Sequence, residues 1–257
     1  MTDEKALQPS LTAETEEGCD ARAADARAIE STYRHIPRAV IQYMCEIAGS
    51  GVPCQVTTAL RDHPSKTLRR LDRLFEQVGA ILGETDDKLL AMTDWDPRDK
   101  EPTRFDAMLA ELRTVRFLDE EGFHEIMLLP SRRAERADGT ARRGAARYAF
   151  EVVCPNRDHF RWPGHSVRRQ DLVDYVVERF RAKKSQLETT AEEEDCQTVV
   201  LVSVLVEEGV NALMDQEEFR NDVLEPAWRL LGEPLHTHVV IIGKWRADHT
   251  VFPAWTS

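Results

Sequence analysis

Two glutamates stand where the surrounding sequence gives little reason for a charge. Glu111 belongs to the periodic run Phe105, Met108, Leu109, Leu112, Val115 and Leu118, and on a helical wheel it falls between Val115 and Leu118, inside the apolar arc. Glu151 sits in Tyr148-Ala149-Phe150-Glu151-Val152-Val153-Cys154, where strand alternation sends Phe150 and Val152 to one face and Glu151 and Val153 to the other. Withdrawing an unpartnered carboxylate from water costs on the order of several kcal/mol, so such a residue tends to be paired or metal-linked. Each also has a plainer reading, Glu111 as an arc-edge residue whose head reaches solvent and Glu151 as an ordinary edge-strand glutamate. Around the second lies a basic band. Arg132, Arg133, Arg136, Arg142, Arg143 and Arg147 are diluted only by Glu135 and Asp138, and Arg157, Arg161, Arg168 and Arg169 follow. A phosphate track would look like this, and so would a flexible arginine-rich loop.

The elements that must position these residues follow from periodicity. Thr103 to Glu121 reads as a helix that Gly122 ends, Phe123 to Leu129 as a strand, residues 131–146 as a long loop, and Tyr148 to Cys154 as a second strand. Val167 to Leu187 is an amphipathic helix. Val199 to Val206 is an unbroken valine-rich run of the kind buried on both faces. Asp215 to Leu231 reads as a helix and His238 to Ile242 as a further strand. The order describes an α/β sandwich with a mixed sheet flanked by helices.

Phe105 to Phe123 reads FDAMLAELRTVRFLDEEGF. It is similar to the opening helix of many PD-(D/E)XK nuclease-like proteins, where an Ala-Glu-Leu helix runs into Gly-Phe and a first strand. Over about residues 103–206 the chain resembles that superfamily. The resemblance implies a core of helix, three-stranded meander, crossing helix and further strand, with acids converging on Mg²⁺ or Mn²⁺ and with DNA as partner. Glu111 matches the helical glutamate that supports the metal site, and Glu151 matches the acid of the (D/E)-X-K element. Asp138 stands a suitable interval before Glu151 for the remaining aspartate, although Ala137 replaces the usual proline; Asp158 is the alternative third carboxylate. Glu111, Asp138 and Glu151 are thus the implied metal ligands. Val153 departs from the pattern, because lysine belongs there to orient and activate the attacking water. Several superfamily members carry a lysine or glutamine on the crossing helix instead, and Lys184 or Lys183, with Gln186, fits that role; a solvated basic helix end is the plainer reading. The resulting expectation is a metal-dependent nuclease hydrolysing phosphodiester bonds in DNA. The alternative is an inactive member of the fold that binds nucleic acid or protein, as fold does not fix function.

Upstream, residues 36–92 resemble a winged helix. Val40, Ile41, Met44 and Ile47 form a first helix, Val56 to Arg61 a short second, and Ser65 caps a third that carries Leu68, Leu71, Leu74, Phe75 and Val78 to Gly79. Residues 80–92 read as a small hairpin, the wing. Lys66, Arg69, Arg70 and Arg73 on the third helix would face DNA, with Arg69, Arg70, Arg132, Arg133, Arg142 and Arg143 the expected nucleic-acid contacts. A helical cap packed on the next domain is the competing reading, and a winged-helix regulator with a dimerising α/β domain is a third functional class. The charged, proline-bearing stretch Asp94 to Pro102 reads as a linker, and residues 1–30 as an acidic tail with little to bury.

A formal net charge of −12 excludes a protein coated in positive charge but not a local basic track. The five cysteines are scattered with no C-x-x-C pair, which argues against a disulfide framework or zinc ribbon and for a reducing compartment. No signal-peptide pattern or membrane-length apolar run is present, so the expected location is cytoplasmic. His236 and His238 share one strand face without a third ligand at useful spacing, and neither a Gly-rich phosphate loop nor a G-x-S-x-G motif occurs.

Overall fold

The structure is a computed structural model that describes residues 26–50, 63–93, 95–99, 101–129, 136–155, 168–204, 216–243 and 249–255. Six strands form one mixed sheet: β1 (His124–Leu128), β2 (Gly139–Arg143), β3 (Ala146–Val153), β4 (Thr198–Val204), β5 (Thr237–Ile242) and β6 (His249–Phe252), in that spatial order. β1, β2 and β3 are an antiparallel meander, β3, β4 and β5 run parallel, and β6 returns antiparallel along the outer edge. The parallel step from β3 to β4 requires a crossover, which the long helix between them supplies. The fold is α/β, as the order of apolar patterns requires.

The helices are α1 (26–32), α2 (Arg38–Ser50), α3 (Pro64–Leu82), α4 (Asp86–Met92), α5 (Pro102–Glu120), α6 (Arg169–Glu193) and α7 (216–230). In α7 a π-helical turn, Arg220–Leu224, joins the α-helical pieces Gln216–Phe219 and Glu225–Leu230. Alternation in the strands sorts the core into two layers. Phe150, Val200, Val202 and Val240 pack on the face covered by α2 to α5. Val153, Leu201, Val239 and Ile241 pack on the other face, against Leu172, Val176 and Phe180 of α6 and Phe219 and Val223 of α7. The valine-rich β4 is buried on both sides, which is why its apolar run shows no alternation.

Residues 80–92 are not a hairpin. The α3 helix runs through Gly79 to Leu82 and stops at Gly83, whose φ of 67° is the left-handed cap that glycine adopts most easily. Asp86 and Asp87 then open α4, favoured at a helix N-terminus by the macrodipole, and Leu89 is buried. The N-cap of α3 is His63 with Pro64 in the first turn, not Ser65. With no wing, α2, α3 and α4 form a helical layer over α5, as in the cap reading. Val56 to Arg61 lie outside the described residues. Lys66, Arg69, Arg70 and Arg73 are exposed on α3 as the wheel predicts. The expected linker carries an anchor: Trp95 is buried, edge-on to Tyr43 at 5.1 Å and to Phe105 at 5.4 Å between ring centroids. One hydrophobic core therefore runs from Ile36 through Trp95 into α5 and the sheet.

Two strands escaped the pattern. β2 lies inside the expected loop, because Gly-Thr-Ala-Arg-Arg carries no apolar alternation and its identity comes from pairing with β3. Gly139 opens it opposite Phe150, and a β-carbon there would meet Phe150 Cζ at 2.3 Å and the Met127 carbonyl at 2.4 Å. β6 is short, four residues that end at the Phe252-Pro253 step. Residues 26–32 are helical, and residues 1–25 of the expected tail lie outside the described residues. Cys45, Cys154 and Cys196 form no disulfide, and no helix among the described residues is long and apolar enough to cross a membrane.

Candidate active site

A cleft of about 310 Å³ opens between α5, the start of β2, the end of β3 and α6. Glu111, Asp138, Glu151, Lys183 and Gln186 all line it, joined by Trp95, Arg104, Arg136 and Cys154. Three carboxylates therefore share one cavity with three cations. Sequence separations of 27 and 13 residues between the acids are bridged by the meander, which returns β2 and β3 past the α5 helix.

Glu151 is the most deeply placed of the three, with its side chain 2% exposed. Alternation turns it toward α6, where Lys183 Nζ lies 2.5 Å from its Oε1. Its Oε2 is buried and has no hydrogen-bond partner among the described residues. Burial pushes the Glu151 carboxyl above its ordinary pKa, and Lys183 together with the Asp138 main chain opposes that shift without cancelling it. Asp138 sits one residue before β2 and extends the ladder with its side chain: Oδ2 accepts the Val152 N–H at 2.7 Å. The approach to Asp138 is braced by α6. Ala137 N–H donates to Thr190 Oγ1 at 2.7 Å, Arg136 Nη2 lies 2.5 Å from Glu193 Oε2, and Gln186 Nε2 donates to the Arg136 carbonyl at 3.4 Å. Glu111 is half-buried on α5, facing the same cleft from the helix side.

Of the two lysines, Lys183 reaches the site. Lys184 is exposed one residue on and pairs with Glu188 at 3.6 Å, because consecutive helical residues diverge by about 100°. Val153 packs against the α6 face of the sheet, so the position where the motif has lysine is part of the hydrophobic core. Arg142 and Arg143 do not flank the cleft. They end β2 at the side away from Asp138, where Arg142 pairs with Glu125 at 3.4 Å. Arg143 covers the Phe123 and Trp255 rings and donates to the Glu121 carbonyl at 3.2 Å. Arg168 pairs with Asp171, and Arg169 with Glu218 and Asp222. Arg132, Arg133, Arg157, Arg161 and Asp158 lie outside the described residues. His236 precedes β5 with a positive φ, and His238 is buried with Nδ1 at 2.9 Å from the Pro253 carbonyl, so the two do not form a metal pair.

Among the described residues no three His, Cys, Asp or Glu side chains gather closely enough to hold one ion between them. The donor chemistry nevertheless suits Mg²⁺, which is commonly held by one or two carboxylates and several waters. The orphaned Glu151 Oε2 is such a donor, in a cleft that also presents Asp138 and Glu111. Trp95 and Arg104 were not foreseen in the cleft; the signal was a lone large aromatic inside a charged stretch, which marks an anchor rather than a linker. Compared with known proteins, the chain matches no protein-family model, no curated protein and no solved structure.

Proposed function

We propose that the chain is a metal-dependent phosphodiesterase of the PD-(D/E)XK type acting on DNA, with its lysine supplied from the crossing helix. The observation that carries this reading is the Lys183–Glu151 pair at 2.5 Å inside a cleft also lined by Asp138 and Glu111. The order helix, antiparallel meander, crossing helix and parallel strand supports it, since that is the core the resemblance implies. Bound Mg²⁺ supplies a lowered water pKa and neutralises charge building on the phosphate. Glu151 and Asp138 would hold the cation, with Glu111 lining the same cleft from α5. Lys183 opposes the effect of burial on Glu151 and stands ready to orient the attacking water. Arg136 and Arg104 draw the phosphate into a cleft that would otherwise repel it.

Calorimetry of Mg²⁺ and Mn²⁺ into wild type and Glu151→Gln, with plasmid nicking on the same samples, tests the proposal. Metal binding and nicking that both vanish in the variant support it. A second reading, an inactive member that binds nucleic acid or protein, is favoured by two observations: Lys183 occupies Glu151 Oε1, and among the described residues the three carboxylates do not close around a point. Retention of DNA without metal binding by wild type would select that reading.

A further inference from the structure

Two residues that line the cleft each carry a buried polar atom with no hydrogen-bond partner among the described residues, and the two atoms are of opposite kinds. Glu151 Oε2 is an acceptor suited to a cation; Trp95 Nε1 is a donor. Trp95 is 7% exposed and lies edge-on to the stacked Tyr43 and Phe105 rings, which fix its ring. An unbonded buried N–H is costly, and an incoming acceptor oxygen removes that cost. Arg104, at the start of α5, lines the same cleft and is exposed apart from a 4.0 Å contact with Asp99. A neutral donor and a mobile cation together suit a phosphate oxygen. Ala107 and Ala110 keep the wall between them and Glu111 shallow.

The cleft's size and depth limit what can enter. At about 310 Å³ it lies at the small end of ligand pockets. Glu151 lies at its floor, 2% exposed, so a phosphate comes beside it only by entering the cleft. From this geometry we infer that the Trp95–Arg104 end of the cleft is a phosphate subsite for single-stranded nucleic acid. It seats the strand beside the carboxylates. This inference rests on the phosphodiesterase reading for its choice of ligand. A backbone phosphate and a terminal 5′-phosphate offer the same chemistry.

The test uses the full chain with Ca²⁺ in place of Mg²⁺ and fluorescence anisotropy of 3′-labelled DNA: a single strand with 5′-phosphate, the same strand with 5′-hydroxyl, and a blunt duplex. Trp95→Phe removes the N–H together with the five-membered half of the indole, so its fold is confirmed by circular dichroism before binding is read, and Arg104→Ala alters an exposed side chain. Each should weaken single-strand binding by about tenfold, the loss expected for a hydrogen bond to a charged group, and weaken blunt-duplex binding by less, because a paired strand is held further from the cleft. Loss confined to the phosphorylated strand assigns the subsite to a terminal phosphate; equal loss on both strands assigns it to the backbone. Unchanged affinity in both variants overturns the subsite. Hydrolysis in Mg²⁺ by wild type and Glu151→Gln is scored separately. Cleavage dependent on Glu151 with variant-insensitive binding sinks the subsite alone. Variant-sensitive binding without cleavage sinks the hydrolytic reading and keeps the subsite. A wild type that binds no strand sinks both.

Discussion

Lys183, on a helix, reaches to 2.5 Å from Glu151, on a strand whose next residue on the same face is the buried Val153. The pair links the two elements that frame the cleft, with one member nearly inaccessible and the other 32% exposed. Removing the lysine leaves a buried carboxylate with only the Asp138 main chain to support it, whereas removing the glutamate frees a lysine that can turn to solvent.

Lys183→Met should therefore lower the unfolding free energy by about 3 kcal/mol, the usual cost of stranding a buried charge. Lys184→Met should change it by less than about 0.5 kcal/mol, as an exposed pair contributes little. Urea denaturation of the two variants separates the neighbours. Equal effects would contradict the assignment of Lys183.

The pH dependence follows from the raised Glu151 carboxyl. The folded protein holds this proton to higher pH than the unfolded chain, so the native state binds more protons and stability falls as pH rises. The effect is absent below the ordinary glutamate value of 4.5 and grows until the raised folded value is passed. Across that window wild type should lose stability relative to Glu151→Gln, measured as a growing difference in denaturation midpoint. Metal affinity should climb through the same window, because the cation competes with that proton.

Gly139→Ala forces a β-carbon onto Phe150 and the Met127 carbonyl. The strain should cost about 3 kcal/mol, at the upper end for overpacking. Asp138 is the preceding residue and is held by the Val152 N–H, so metal affinity should fall with stability. Circular dichroism melts and calorimetry on one preparation check both. A variant as stable as wild type would show that β2 can shift without penalty.

Arg142→Ala and Arg143→Ala should leave DNA affinity and its salt dependence unchanged, since both side chains are engaged away from the cleft. Arg136→Ala should reduce the slope of log affinity against log salt by about one unit, as expected for one lost phosphate contact. Binding measured at several salt concentrations decides between the basic band of the sequence and the smaller set at the cleft.

Much of this was legible in the chain because periodicity reports burial. The α5 arc placed Glu111 toward the interior, and the alternation in β3 put Glu151 on the face opposite Phe150. What periodicity does not carry is partnership. β2 has no apolar alternation and exists because β3 pairs with it. The choice of Lys183 over Lys184 depends on the rotation of α6 about its axis, which only packing sets. The wing failed for a local reason: a short apolar pair after a polar turn fits a strand or one helical turn, and Asp86 and Asp87 tip it to the helix. Arg142 and Arg143 were grouped with the site by nearness in sequence, whereas a strand five residues long carries its ends to opposite sides of the sheet.

Trp95, edge-on to the stacked Tyr43 and Phe105 rings, ties the helical layer to α5 and the sheet. Its consequence concerns ancestry as much as mechanics. A layer whose side chains complete another segment's core is not a cassette that recombination can swap for a different targeting module. Diversification of this protein would have to proceed by substitution along the cleft rim, with both halves inherited together.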